Sequence, residues 1–390
     1  MKGPKKIALL LAGSFLLSMA VLAQAGKAKL ERSTYEVPIF FVGDRRPKNL
    51  IVGDWSPDQM IASQNISYGV VNVPTDIPSE SSIPDHLDWT ASNKRGREAR
   101  NFILSQIQSS TSISVNFGAS GGKYTPFDST DFKSRFLGRF KTYLENSRQK
   151  RFILFVHGCC IDASTSMQRA AELAANTKLP VLMFDWATPS LMQAPILPEV
   201  NTYRRSERVL EISQHNYSEM VDALVSVLED YDCILLGHSM GCRIICTDIL
   251  RRGSPREFLI SQLHLVRPDQ SLPAFILDEH KICEHTNRTY IYCAENDPEL
   301  KKAQTISADV PRLGRLGKKF FGTSMRLGMT LDSPSNRYFI DVSAAKLNHS
   351  IPFRLIEHVI NKGVEDGSNY VFKPWSDQHT KRNLLFLETH

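Results

Sequence analysis

The chain has 390 residues, 42% of them hydrophobic and 23% charged, with a formal net charge of +6. This is ordinary globular composition, enough for one large domain or two modest ones. The charge is mild and no long block of like charge occurs, which argues against nucleic acid as a partner.

In chain order, the first segment is read as lying outside the fold. MKGPKK is basic, residues 7 to 23 are apolar, and Ala23-Gln24-Ala25 offers a small-x-small cleavage site. Together these make residues 1–25 a secretory signal peptide. An uncleaved membrane anchor is the competing reading, and the apolar run is at the short limit for a span. Cleavage removes Lys2, Lys5 and Lys6, and the expected destination is secreted or periplasmic. Residues 26–150 form an N-terminal extension: YEVPIFFVGDRR and ISYGVVNVP read as two strands, an antiparallel start of the sheet, and DFKSRFLGRFKTYLENS as a helix. Segment 76–100 is polar and loop-like.

From residue 151 to 363 the pattern alternates. RFILFVHG, LPVLMFDW, CILLGHS, ISQLHLVRPD, TYIYCAEND and RYFIDVSA are short apolar runs of the kind buried parallel strands make. Between them stand helical stretches: DASTSMQRAAELAANTK, SERVLEISQHNYSEMVDALVSVLEDY, MGCRIICTDILRRG and FILDEHKICEH. IPFRLIEHVINKG closes the series at Gly363. Such alternation predicts βαβ units and a mostly parallel sheet with helices on both faces. Residues 364–390 have no clear period and are read as a C-terminal tail.

GHSMG, residues 237 to 241, is a G-x-S-x-G pentad between a predicted strand and a predicted helix. That context presents a serine on a sharp turn, with a helix N-terminus behind it to favour developing negative charge. The competing reading is a Gly-rich turn with an ordinary serine. With Ser239 as nucleophile, an acid and a histidine should follow, each past the end of a strand. Asp297 in ENDPEL is the expected acid, and an acidic helix cap before Pro298 is the competing reading. Asp269 in RPDQ is the runner-up, Glu295 a weaker competitor, and Asp341 lies within a strand. His349 in KLNHSIP is the expected base. Oxyanion donors are expected from the Met240 amide and from Cys159 in the loop His157-Gly158-Cys159-Cys160.

Seven cysteines are present, an odd number. No C-x-x-C occurs, so zinc has little support and no metal or cofactor is expected. Cys283 and Cys293 flank a polar stretch and could bridge. A vicinal Cys159–Cys160 disulfide is expected to be sterically awkward, with Cys159 serving through its backbone N–H and Cys160 packing beneath.

These separated motifs resemble the α/β-hydrolase superfamily, and within it a bacterial branch of hydrolases of unknown function. FFVGDRRP, YGVVNVP, FVHGCC, MFDWATP, GHSMG, VRPD, ENDPEL, PRLGRLG and NHS follow in order over residues 35 to 363. The family usually carries a large aromatic after His-Gly and often Gly-His near the end; here Cys159 and Asn348 stand there. The resemblance implies an α/β-hydrolase fold and an esterase- or lipase-like Ser-Asp-His enzyme acting on a small-molecule or lipid-like ester. An acyltransferase with the same triad, or a non-catalytic envelope or binding protein on the same scaffold, are the alternatives. Residues 189–205, apolar and Pro-rich, are either a cap over the site or a plain crossover loop. Arg312, Arg315, Lys318, Lys319 and Arg326 around Phe320 and Phe321 are either a peripheral membrane contact or a solvated basic loop.

Overall fold

The computed structural model describes residues 34–44, 65–76, 102–103, 105–106, 111–114, 126–188, 199–253, 260–317, 336–345, 347–366, 371–374 and 384–388. The proposed signal peptide, segment 77–100, residues 189–198 and most of the basic loop lie outside them.

The strands are β1 (Thr34–Gly43), β2 (Asn65–Asp76), β3 (Thr111–Ser114), β4 (Arg151–Val156), β5 (Val181–Asp185), β6 (Asp232–His238), β7 (Gln262–Val266), β8 (Thr289–Cys293), β9 (Arg337–Asp341), β10 (Val371–Pro374) and β11 (Leu384–Glu388). They form one sheet in the order β10-β11-β9-β8-β7-β6-β4-β5-β1-β2-β3. Every pairing from β1 through β5, β4, β6, β7, β8 and β9 to β11 is parallel. Among the described residues, antiparallel strand pairs sit only at the two ends: β1 with β2, β2 with β3, and β10 with β11. This is the mostly parallel, helix-covered sheet of the α/β-hydrolase fold.

The helices are α1 (Gly138–Asn146), entered through a π-helical segment Asp131–Leu137, then α2 (Ala163–Thr177), α3 (Glu199–Leu228), α4 (Gly241–Arg251), α5 (Leu272–Glu284), α6 (Pro298–Ile306) and α7 (Phe353–Lys362). Their ends have local causes. The Asp162 carboxylate accepts from the Thr165 amide at 2.7 Å to start α2, and Ser271 caps α5 ahead of a proline in its first turn. Gly363, with φ of 81°, stops α7 where an L side chain would be strained.

The strands alternate their side chains between two cores. Phe152, Leu154 and Val156 of β4 pack with Phe140 of α1, Tyr217 of α3, Ile245 of α4 and Phe275 of α5. Ile153 and Phe155 face the other way, onto Met167 of α2 and Ile356 of α7. Burial on both faces explains why the central strands read as unbroken apolar runs.

Several expectations are corrected. The residues after Glu365 do not all form a tail: β11 pairs with β9 and carries β10 with it, extending the sheet. Lone short strands at an edge carry too few residues to display a period. Helix α3 begins at Glu199, seven residues before its apolar periodicity becomes clear. Helix α6 was anticipated only through the alternative reading of Asp297 as a helix cap, and Asp297 does cap it. Cys283 and Cys293 are free and buried, one in α5 and one on β8. Cys159 and Cys160, by contrast, form a vicinal disulfide. Cys160 has a positive φ of 68°, and that left-handed turn brings together two side chains that an extended backbone would send to opposite sides.

Candidate active site

The residues singled out in the sequence converge at the carboxyl ends of the parallel strands, where open α/β sheets place their ligand sites. Ser239 follows β6 directly and is itself left-handed, with φ of 53°. A non-glycine residue there is strained, and the surroundings must hold it. They do so on both sides: the Ser239 amide donates to Val266 O at 2.9 Å, and the Asp269 amide donates to Ser239 O at 3.1 Å. The flanking glycines are required by close packing. A Cβ on Gly237 would sit 3.0 Å from Cys242 Cα, and one on Gly241 would sit 2.5 Å from Val156 O.

His349 stands in the turn between β9 and α7. Its Nδ1 lies 2.8 Å from Asp297 Oδ2. The same oxygen accepts from Arg267 Nη1 at 3.0 Å, while Oδ1 accepts the Glu299 and Leu300 amides at the start of α6, each at 3.0 Å. Asp297 therefore makes both contacts at once: one oxygen caps the helix and the other faces the histidine. Burial pushes the Asp297 carboxyl upward, but His349, the Leu300 amide and Arg267 outweigh it and hold the group below its ordinary value. The carboxylate is charged at neutral pH and fixes Nδ1 of His349 as a hydrogen-bond donor, which leaves Nε2 free to accept a proton. Among the described residues Ser239 and His349 do not hydrogen-bond to each other. They share the wall of one cavity of about 580 Å³, and bonds of this kind tighten when substrate binds.

The loop after β4 closes the third side. A Cβ on Gly158 would lie 2.9 Å from Ser239 Cβ and 2.9 Å from His238 Nδ1, so this backbone rests directly on the serine turn. Its position is fixed from below: His157 Nε2 lies 2.9 Å from Asp185 Oδ1, Trp186 Nε1 donates to His157 O at 2.8 Å, and the Cys160 amide donates to Thr188 Oγ1 at 2.9 Å. Neither the Cys159 nor the Met240 amide donates to another described residue. Both remain available to an incoming acceptor.

Two of the rival acids, Asp269 and Asp341, are occupied elsewhere. Asp269 accepts from Tyr203 Oη at 2.7 Å and Arg243 Nη2 at 3.0 Å, and lies 3.3 Å from Arg312 Nε, with no contact to His349. Asp341 accepts from the Ser343 amide and hydroxyl, and the Glu295 amide donates to Ser343 Oγ. Arg312 and Arg315 are likewise inward-facing: Arg312 bonds Ser307 Oγ and Arg315 Nη1 donates to Gln304 Oε1 at 2.8 Å. These two do not belong to an exposed basic patch. Of the proposed cap, Val200 and Tyr203 belong to the start of α3 and line the cavity. Asn216 is buried and donates to Asp44 Oδ2 at 3.1 Å.

Two site residues escaped the sequence reading. Arg267 is fully buried and joins Asp297 to the Asn348 carbonyl, so it binds the acid and the base-bearing turn together. It sits in VRPD, noted only as a strand end. His238 precedes the serine and is buried; its Nε2–H donates to the His349 carbonyl at 3.0 Å. Burial, then the charges of His349 and Arg169, push its pKa well below the ordinary value, so it stays neutral. Among the described residues, no group of three or more His, Cys, Asp or Glu could hold a metal ion.

The fold and this arrangement define a hydrolase scaffold of the α/β class. A family model described as "Alpha/beta hydrolase of unknown function (DUF900)" matches residues 133–321, from the helix ahead of β4 to beyond the Arg-Leu-Gly segment. No curated protein matches the chain.

Proposed function

We propose that the protein is a serine hydrolase that cleaves carboxylic esters through an acyl-enzyme. The observation that carries this is the 2.8 Å contact between His349 Nδ1 and Asp297, in one cavity with a serine held at positive φ. His349 Nε2 takes the Ser239 proton as Oγ attacks the ester carbonyl. The Met240 and Cys159 amides receive the oxyanion, with the start of α4 behind them. Collapse of the tetrahedral adduct expels the alkoxide, which His349 protonates, leaving an acylated Ser239. Water then enters, gives a proton to His349 and attacks the acyl carbon; Ser239 recovers its proton as the acid departs. Asp297 fixes the imidazole tautomer and stabilises the imidazolium in both halves.

The same machinery serves acyl transfer if an alcohol or amine replaces water, and added alcohol distinguishes the two by product ratio. Export belongs to the same proposal: residues 1–25 are removed on secretion, and an oxidised Cys159–Cys160 pair suits an oxidising compartment. The test is turnover of 4-nitrophenyl butyrate by the mature chain and by Ser239→Ala. The proposal expects saturable hydrolysis that the substitution lowers by about 10³-fold or more. Equal turnover by both proteins refutes it.

A further inference from the structure

The charges around the cavity do not balance. Asp269 on its wall is consumed by Tyr203, Arg243 and Arg312, and Glu299 pairs with Lys302 Nζ at 3.2 Å. Arg169, on α2, lines the same cavity as Ser239 and His349. It is half-buried, and among the described residues it has no hydrogen-bond or ion-pair partner. Glu172, one turn further along α2, is its electrostatic neighbour, and its own charge reaches His238 beside the nucleophile. Burial draws its pKa down from the ordinary value, Glu172 partly offsets that, and among the described residues no hydrogen bond satisfies the guanidinium. A guanidinium has five donors in a planar fork and cannot shed its charge, so a half-buried one left without a partner in a cleft is a ready site for an anion. Lys301 adds a second positive charge at the cavity rim. The remaining wall carries Ile161, Val200, Leu300 and Ile306.

We infer that Arg169 forms an anion subsite, and that the ester taken by this cavity carries a carboxylate or phosphate-like group on an otherwise apolar body. The inference rests on the hydrolase reading and narrows it. A fork-to-oxyanion contact at a desolvated arginine provides both affinity and orientation, because two parallel N–H donors hold a planar anion in one pose. The apolar wall then takes the chain between the anion and the ester, and the ester carbonyl lies between the Ser239 hydroxyl and the two free amides. A neutral ester of equal length loses the charge-assisted contact and leaves the arginine unpaired. Such contacts change affinity by about 10- to 100-fold.

Two measurements on the mature full-length chain separate this inference from the reading beneath it. The first compares kcat/KM for 4-nitrophenyl pentanoate, 4-nitrophenyl hemiglutarate and the corresponding phosphonate-ended acyl ester. The wild-type chain is expected to prefer an anionic ester by about tenfold or more. In Arg169→Met the anionic-to-neutral ratio collapses toward one, and Arg169→Lys restores part of it. The carboxylate and phosphonate arms identify which anion the site takes. The second measures binding of monomethyl and dimethyl glutarate to Ser239→Ala by calorimetry, with and without Arg169→Met, so no turnover is needed.

Arg169-dependent binding of the monoester without hydrolysis by the wild type leaves the anion subsite standing and removes the hydrolase reading. Hydrolysis with no charge preference, unchanged by Arg169→Met, removes the anion subsite and leaves the hydrolase. Calorimetry that detects no difference between monoester and diester overturns the inference whatever the activity. If Arg169→Met fails to fold, the Arg169→Lys ratio decides, since an ammonium cannot reproduce the two-donor fork.

Discussion

Asp297→Asn tests the assignment of the acid, because Asp297 has two duties that the substitution separates. The carboxylate accepts two helix amides at Oδ1, and Arg267 and His349 at Oδ2. An asparagine that keeps its oxygen on the amides turns its NH2 toward two donors. His349 must then take the opposite tautomer, with its proton on Nε2 facing Ser239, where it can no longer act as a base. That error is expected to lower kcat by about 10⁴, or roughly 5 kcal/mol in the barrier. The Arg267 guanidinium also loses its buried counter-ion, at a cost of about 3–5 kcal/mol in stability. The opposite amide rotamer restores an acceptor for His349 but gives up the cap of α6, worth about 1 kcal/mol. The assay is kcat on 4-nitrophenyl butyrate from pH 5 to 9, on protein shown to be folded by circular dichroism. Asp269→Asn is the comparison, since it disturbs the Arg243, Arg312 and Tyr203 cluster without touching His349. If folded Asp297→Asn keeps more than a tenth of wild-type kcat, or if Asp269→Asn falls as far, the reasoning about the acid is refuted.

Three further outcomes follow from the contacts. Gly158→Ala places a methyl 2.9 Å from Ser239 Cβ, so it should lower kcat/KM by about 10²-fold with the fold retained, and unchanged steady-state kinetics would contradict the packing. Cys159→Ala removes the vicinal disulfide but keeps the amide; turnover within about tenfold of wild type is expected, whereas a collapse matching Ser239→Ala would give the thiol itself a role. Two buried groups oppose each other in acid. His264, bonded to Tyr292 and Gln262, is driven down to about 3 by burial, so below its unfolded value of about 6.5 only the unfolded chain binds its proton, and stability falls as pH drops. Asp44 is raised from 3.8 to about 6 by burial, so there the folded chain binds the proton first and gains stability as pH falls from about 6 to 3.8. Urea unfolding at pH 7 and 4.5 should therefore show a steeper acid loss in Asp44→Asn, by about 2 kcal/mol, and a shallower one in His264→Gln. The same change in both variants would contradict the assignment.

Most of the fold was legible because its central strands are buried on both faces and its helices carry a 3.6-residue stripe. The strands β4 to β9 and helices α2, α4 and α7 lie where apolar runs and turn residues put them. The edge was not legible. β10 and β11 are short, and only the pairing of β11 with β9 makes them part of the sheet. α6 showed in the sequence only as a cap signal at Asp297, because just Leu300 and Ala303 of PELKKAQTI are buried beneath it. At the site, the pentad announced Ser239, and the loops after the strands singled out Asp297 and His349. Arg267 and His238 were missed because their roles run through backbone carbonyls of residues 348 and 349, about 80 and 110 positions away. No local pattern encodes a contact of that separation. The Cys159–Cys160 pairing was misjudged because the left-handed backbone of Cys160, which admits it, leaves no mark in the sequence.

The central claim is that Ser239 is an activated nucleophile. The most direct measurement is peptide mass spectrometry of the mature folded chain after treatment with a fluorophosphonate. The account predicts a single phosphonylated peptide modified at Ser239, formed in wild type and lost in His349→Ala. No adduct at Ser239 in folded protein, or equal labelling in His349→Ala, would contradict it.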